Sequence, residues 1–367
     1  MPTQPLTLSG SFYDIGYQHG QAFQEAIQDF AEKRIQYSQT EYWTGRNLSE
    51  ASVLALARAC LVEHEAYAPE LMQELRGMAD ASEVSLEALL IVNGFTDFID
   101  TVYAVGDILK AESPLVSSIP HAEDNCTAFL IPNARTQEHK GIFGQTWDMN
   151  PAAKSFVRTI KGIPDNSPQF ITFTIAGCIG MIGMNEFGIT VGINNILGGD
   201  GQIGIMWLYV IRKILQQSNI QDALRCITEA KLAGAHNYML MDAEGSAYSV
   251  EAMSSVCQVT ALEDQEIIHT NHCLYEPTLR VERKREAVSQ KSSEDRYRNA
   301  VNYIQEMDTI GIEDLKRLTA DVDAICLHHK PELQLETCGA VIAQPADRSF
   351  WVVAGSPDEN EYVKYTI

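Results

Sequence analysis

The chain has 367 residues, 45% of them apolar and 21% charged, with 24 Gly and 13 Pro. At roughly 150 residues per domain this length fits two or three domains or one large layered α/β unit, and the composition excludes a collagenous or disordered polymer. The 27 Lys+Arg stand against 49 Asp+Glu, a formal charge of −22. The mean field therefore repels phosphates and anionic lipid, so neither nucleic acid nor a membrane is an expected partner.

The first residues hold no basic stretch followed by an apolar core, so no export signal is expected and the chain reads as cytoplasmic. The longest uncharged run, between Asp165 and Glu186, is broken by Gly177, Gly180 and Gly183 into short strands, which excludes a membrane span. Eight cysteines are scattered without a CxxC pair. A disulfide framework does not fit that pattern, and most of these residues read as small buried fillers.

From about Tyr13 to about Lys110 the pattern is helical, with Ile15, His19, Ala22, Phe23, Ala26, Ile27 and Phe30 sharing one face. Asn47-Leu-Ser-Glu50 resembles a capping box that opens a second helix, and Leu71, Leu75, Met78 and Ala79 mark a third. Residues 113–124, rich in Ser, Pro and acidic side chains, read as an exposed connector.

Short β-like runs follow at 126–131, 141–149, 169–176, 181–184 and 189–194. Helices are expected at 205–217 and 220–232, strands at 238–241, 247–251 and 267–270, a basic helix pair at 277–289 and 294–307, and a closing hairpin of 340–344 with 349–354. Strands, helices and strands again predict an α/β (α+β) fold of sheets covered by helix layers. The whole chain, 1–367, reads as one unit.

Cys126 stands at the junction between the polar connector and the first strand run. Gly144-Gln-Thr-Trp-Asp148 ends the next run, so a hairpin brings Asp148 back towards Cys126. A carboxylate beside a thiol makes chemical sense where it also holds a cation.

Together with these residues, Gly183-Met-Asn-Glu-Phe-Gly188, Gly192-Ile-Asn194-Asn, His269-Thr-Asn271-His272 and Ser292-Ser-Glu-Asp-Arg296 form a recognisable set. So do Gly10 to Gly20 and Gly355-Ser-Pro near the two ends. The set resembles the isopenicillin N acyltransferase-like (acyl-CoA:6-aminopenicillanic acid acyltransferase) family, which is grouped with the choloylglycine hydrolases among N-terminal-nucleophile enzymes.

The resemblance implies a four-layer αββα sandwich and a precursor that cuts itself at Asn125–Cys126, giving pieces 1–125 and 126–367. The freed α-amine, with a pKa of about 7.7–8.0, could then take the proton of a thiol near about 8.5. By position, Cys126 is the implied nucleophile and Asp148 the anchor of its ammonium. Arg296 is the implied cation that favours thiolate, and Asn194 with Asn271 the implied oxyanion donors.

The implied activity is hydrolysis of a linear amide of a small N-acylated amine or amino acid through a Cys126 thioester. N-acyl transfer from acyl-CoA or an amide to an amine is the alternative, and a catalytically silent binding protein a second one. No cofactor or metal is implied, and homo-oligomerisation is left open. Gln145 stands where the choloylglycine branch has arginine, which favours the acyltransferase-like branch, and Asn125 replaces the glycine of the fungal penicillin enzyme.

Two other readings compete. His269-x-x-His272 and Cys326-Leu-His328-His329 with Cys338 offer metal ligands, but without the paired spacing of a zinc module. Gly177-Cys-Ile-Gly180-Met-Ile-Gly183 has the wrong spacing for a dinucleotide fingerprint and fits close strand packing.

Overall fold

The computed structural model describes residues 4–105, 125–329 and 335–367; the predicted connector at 113–124 lies outside them. Strand β1 (Leu6–Gly10) leads into a run of helices: α1 (Phe12–Ala22), α2 (Gln24–Ser38), α3 (Glu41–Thr44), α4 (Glu50–Tyr67), α5 (Pro69–Ser82), α6 (Leu86–Val92) and α7 (Phe95–Val105). Then come β2 (Asn125–Ile131), β3 (Ile142–Met149), β4 (Val157–Pro164), β5 (Phe170–Ile175), β6 (Ile182–Asn185) and β7 (Thr190–Asn195).

Helices α8 (Trp207–Ile214) and α9 (Ile220–Thr228) precede β8 (His236–Met241), β9 (Ala247–Ala252), β10 (Cys257–Ala261) and β11 (Ile267–His269). The chain closes with α10 (Glu276–Leu279), α11 (Ala287–Gln305), α12 (Ile312–Ala320), β12 (Glu336–Gln344), β13 (Ser349–Ala354) and β14 (Val363–Thr366).

Two sheets result, in the orders β1-β4-β5-β6-β7-β8-β9-β10 and β11-β2-β3-β12-β13-β14. Every pairing is antiparallel except β1 with β4. Alternation along each strand divides the core. Ala128, Leu130, Phe143 and Trp147 join the first sheet and helices α2 and α4–α9 in one cluster, whereas Phe129, Ile131, Ile142 and Ile342 meet α11 and α12 in another. The order is helices, sheet, sheet, helices, which is the predicted αββα sandwich.

Helices α1 and α5 lie backbone against backbone, because a Cβ on Gly16 would stand 1.8 Å from the Glu74 carbonyl oxygen. One on Gly77 would stand 2.0 Å from that of Tyr13. No single helix among the described residues is long and apolar enough to cross a membrane.

Several predicted boundaries move. The cap of α4 is Ser49, whose hydroxyl accepts the Ser52 N–H, while Asn47 instead accepts the N–H of Glu41. The expected helix at 277–289 is only the short α10, and α11 starts at Ala287. Between them Arg283 turns inward to Asp100 (3.0 Å), and that buried ion pair outweighs local helix propensity. Residues 157–164, which read as loop, form β4.

Two histidines hold the helical layer in place, one at the turn after β5 and one at the N-cap of α8. His19 Nε2 accepts the Gly177 N–H at 3.0 Å, and His64 Nε2 accepts the Met206 N–H at 2.9 Å. Accepting requires the neutral ring, and burial pushes both pKa values down from 6.5 to about 4. Between pH 6.5 and 4 the unfolded chain takes up protons that the folded chain refuses, so this stabilisation is complete above pH 6.5 and lost as pH falls.

From pH 7.5 to pH 5 each ring should therefore contribute a loss of about 2 kcal/mol. The His19→Gln variant, which keeps an acceptor but takes up no proton, should lose less stability over that range in urea titrations. An equal loss in variant and wild type would exclude His19 as a source of acid sensitivity.

Candidate active site

The β2–β3 hairpin sets the site. Its register places Asn125 opposite Asp148 and Cys126 opposite Trp147. Opposed residues in an antiparallel pair share a face. Cys126 and Trp147 therefore point between the sheets, where Trp147 meets Phe173 of the other sheet edge-on with ring centroids 6.0 Å apart. Asn125 and Asp148 point to the other face, towards α11. The hairpin brings Asp148 back to the Cys126 end of the strand, as expected, but one residue out of step with Cys126.

A buried polar cage holds the main chain of Cys126 from the α11 side. Its N–H donates to Asn271 Oδ1 at 2.9 Å, and its carbonyl accepts Arg296 Nη1 at 2.7 Å. The same guanidinium donates to Thr127 Oγ1 (3.0 Å) and Asn271 Oδ1 (2.8 Å). Arg296 sits on α11 and Asn271 just after β11. Burial pulls the Arg296 pKa below its ordinary value, while the neighbouring Asp148 and Cys126 act in the opposite direction. The guanidinium thus grips the backbone of Cys126 while lying within electrostatic reach of both side chains.

Asp148 Oδ1 accepts the Thr337 hydroxyl at 2.7 Å, and Thr337 is opposite it on β12. Asn271 is clamped at both ends: Ser293 Oγ accepts its main-chain N–H at 2.8 Å, and its Nδ2 donates to the Asn195 carbonyl at 3.0 Å. Asn194 lies on β7 of the opposite sheet, on the face that Gly192 turns towards Gln145 and Phe143. Its Oδ1 accepts Asn237 Nδ2 at 3.2 Å, and its buried Nδ2 has no partner among the described residues. Cys126, Asp148, Asn271 and Arg296 are thus brought into one connected cluster, with Asn194 tied to it through the adjoining Asn195.

Sequence reading missed four supporting residues. Thr337 orients Asp148; Ser293 fixes the Asn271 backbone; Asn237, held by Ser249 at 2.8 Å, orients Asn194. Arg285 donates to the Asn195 carbonyl at 3.3 Å, the same oxygen that Asn271 uses. Burial lowers its pKa to about 10. Ser293 stands within the Ser292-Ser-Glu-Asp-Arg296 run with no role assigned to it, and the other three carry no local signal, since each matters only through partners distant in the chain. Gln145, by contrast, had been singled out, and its Oε1 accepts the Ile193 N–H at 2.9 Å to tie the two sheets together.

The histidine pair that competed as metal ligands is otherwise engaged. His269 bonds Glu251 (2.9 Å) and the Thr270 carbonyl, and His272 bonds Ser293 Oγ (2.8 Å). The ring of His272 has a pKa pushed down to about 4, chiefly by burial.

The profile of the acyl-coenzyme A:6-aminopenicillanic acid acyl-transferase family matches residues 135–359, more than half of the chain, and the protein belongs to that family. The match includes Asp148, Asn194, Asn271 and Arg296 and begins just beyond Cys126. The acyl-coenzyme A:6-aminopenicillanic-acid-acyltransferase 40 kDa form of Emericella nidulans is 25% identical over 273 residues, covering 73% of this chain and 69% of that protein. An uncharacterized protein of Archaeoglobus fulgidus is 24% identical over 253 residues, 65% of this chain and 41% of that one.

Among solved structures, a mutant conjugated bile acid hydrolase from Clostridium perfringens is similar at 10% identity and a TM-score of 0.42, over 66% of this chain and 97% of that one. Penicillin V acylase from Agrobacterium tumefaciens is similar at 12% identity and a TM-score of 0.35, over 62% and 83%.

Proposed function

We propose that the protein is an N-terminal-cysteine enzyme that cuts its own chain at Asn125–Cys126 and then forms a Cys126 thioester from the amide of a small N-acylated amine or amino acid. The observation that carries this reading is the cage around Cys126. A cysteine whose nitrogen and carbonyl are both fixed by buried side chains, with its side chain between the sheets, is held as a reacting group must be.

In self-cleavage the thiol adds to the Asn125 carbonyl, the C–N bond breaks and its nitrogen takes the thiol proton. Water then hydrolyses the thioester, leaving Asn125 as a carboxylate and freeing the thiol beside the α-amine. In turnover that amine receives the thiol proton as sulfur attacks the substrate carbonyl, and passes it to the departing amine nitrogen. Asn271 Oδ1 already accepts from the nitrogen concerned. Asp148 supplies the compensating negative charge, and Arg296 orients the backbone and favours thiolate.

The oxyanion donor is Asn194, whose Nδ2 is uncommitted, whereas Asn271 uses its own amide on Asn195. Asn194→Ala should lower kcat by about 10²–10³-fold while leaving KM largely unchanged. An unaltered kcat would remove Asn194 from the mechanism.

Family membership favours N-acyl transfer from acyl-CoA or an amide as the second reading, with the acceptor, water or amine, deciding between them. Intact mass spectrometry tests the shared core of both: two polypeptides are expected, the larger beginning at Cys126. Turnover of N-acyl amines with and without added amine acceptors separates hydrolase from transferase. Wild-type protein that turns over as an uncut chain would overturn the α-amine as base.

A further inference from the structure

Part of the Cys326-Leu-His328-His329 run finds a partner that sequence spacing did not reveal. Cys326 and His328 lie after α12, and Asp358 lies in the turn after β13; their donor atoms all fall within 4.8 Å of one another. Cys338, weighed with this cluster in the sequence, is elsewhere, its sulfur 3.7 Å from the Met149 carbonyl oxygen. The geometry points to a binding site for one thiophilic divalent cation of the zinc class, held by Cys326 Sγ, His328 and Asp358, with solvent in the fourth position. This revises the sequence expectation of no metal.

Three observations carry it. First, the donor spacing suits the ion: His328 Nε2 is 2.8 Å from Asp358 Oδ2, and Cys326 Sγ is 3.6 Å from Asp358 Oδ1. Tetrahedral bonds of about 2.0–2.3 Å put ligand atoms roughly 3.3–3.8 Å apart, so shifts of under about 1 Å convert the cluster into a coordination shell.

Second, the charges close, since one thiolate, one carboxylate and one neutral imidazole balance a dication. The thiol proton leaves to solvent as the sulfur–metal bond forms.

Third, the surroundings are built. Cys326 is 1% exposed, and Ser356 Oγ bonds Asp358 Oδ1 while lying 3.3 Å from Cys326 Sγ, the kind of outer contact that orients a ligating carboxylate. The half-exposed His328 leaves a path to solvent. Leu327, between the two ligands, exchanges two hydrogen bonds with Thr337, at 2.8 Å from its N–H to Oγ1 and 2.7 Å from the Thr337 N–H to its carbonyl. That fixes the segment to the central strands.

The test uses the full-length protein titrated with Co²⁺ under reducing conditions. One equivalent should give the intense visible bands of a tetrahedral ion together with sulfur-to-cobalt charge transfer, and Zn²⁺ should abolish both. Cys326→Ser should remove the charge-transfer band, and His328→Ala and Asp358→Asn should each weaken binding at least about 10-fold. Cys126→Ala and Cys338→Ser should leave the spectrum intact, which separates this site from the chemistry proposed for Cys126.

A charge-transfer band that survives Cys326→Ser, or no band with Co²⁺ in excess, overturns the assignment. His328 is half exposed, so its variant folds independently of any effect at the buried cysteine and carries the test if Cys326→Ser does not fold.

Discussion

Cys126→Ala is expected to yield one uncut chain of 40.7 kDa, the full 367 residues, where the wild type is expected to yield two pieces. Turnover should fall by on the order of 10⁶-fold, as when a covalent nucleophile is deleted from a preorganised site. In the proposed mechanism the cause is one atom: both the chain cleavage and the thioester need Cys126 Sγ, while the cage around its backbone stays. The thiol is fully buried and small, so its loss removes little packing.

The variant should therefore fold and melt close to the uncut wild type, which makes the loss chemical and not structural. Two-piece protein from Cys126→Ala, seen by intact mass spectrometry, would place the cleavage with another residue. Cys126→Ser gives a finer reading, since a hydroxyl keeps a weaker nucleophile in the same position and should cleave slowly.

Arg296→Met should be the most destabilising change at the site. The guanidinium is 2% exposed and serves three acceptors at once: the Cys126 carbonyl, Thr127 Oγ1 and Asn271 Oδ1. Methionine fills the volume without donating to any of them. Buried acceptors left bare, next to an Asp148 charge that has lost its compensating cation, should cost about 3–5 kcal/mol.

Urea unfolding in the Cys126→Ala background compares single chains on both sides. Arg296→Lys should recover only part of the loss, because an ammonium cannot reproduce the planar fork that reaches three oxygens. A Met variant as stable as its parent would show that the network carries no net stability. Restoring Cys126 in the Met variant should then show slowed or absent chain cleavage.

The alternation of strands and helix layers was legible because its signals are local and periodic, while the four-layer order came from the family resemblance. The alternation in 126–131 and 141–149 marked β2 and β3, and the hairpin between them fixed the level of Asp148. What escaped has physical reasons. β1 is a short edge strand whose partner is remote in sequence, β14 is a short edge strand of four residues, and β4 carries Arg158, Thr159 and Lys161 at half-buried positions, so it lacks the apolar run that marks a strand. The break between α10 and α11 depends on Arg283 meeting Asp100, far back in the chain.

At the site, Cys126, Asp148, Asn194, Asn271 and Arg296, with their implied roles, came from the family resemblance, but the hydrogen bonds each one makes did not. Only the hydrogen bonds show Asn271 committed on both ends and Arg296 gripping a carbonyl. Thr337 was invisible in sequence because a lone threonine beside a cysteine signals nothing until it is seen opposite Asp148.

Asn125 has a role of its own in this design. Its side chain is sealed from solvent, and neither its oxygen nor its nitrogen has a hydrogen-bond partner among the described residues. A stranded carboxamide of this kind costs about 1–3 kcal/mol for each unmet group. Severing the bond after Asn125 would let that side chain swing out to water, turning the stored discomfort into a latch. Resealing the junction would mean dehydrating the amide once more, so the proposed maturation would run in one direction, and the departing residue would leave room on the strand face where the newborn ammonium would settle against Asp148.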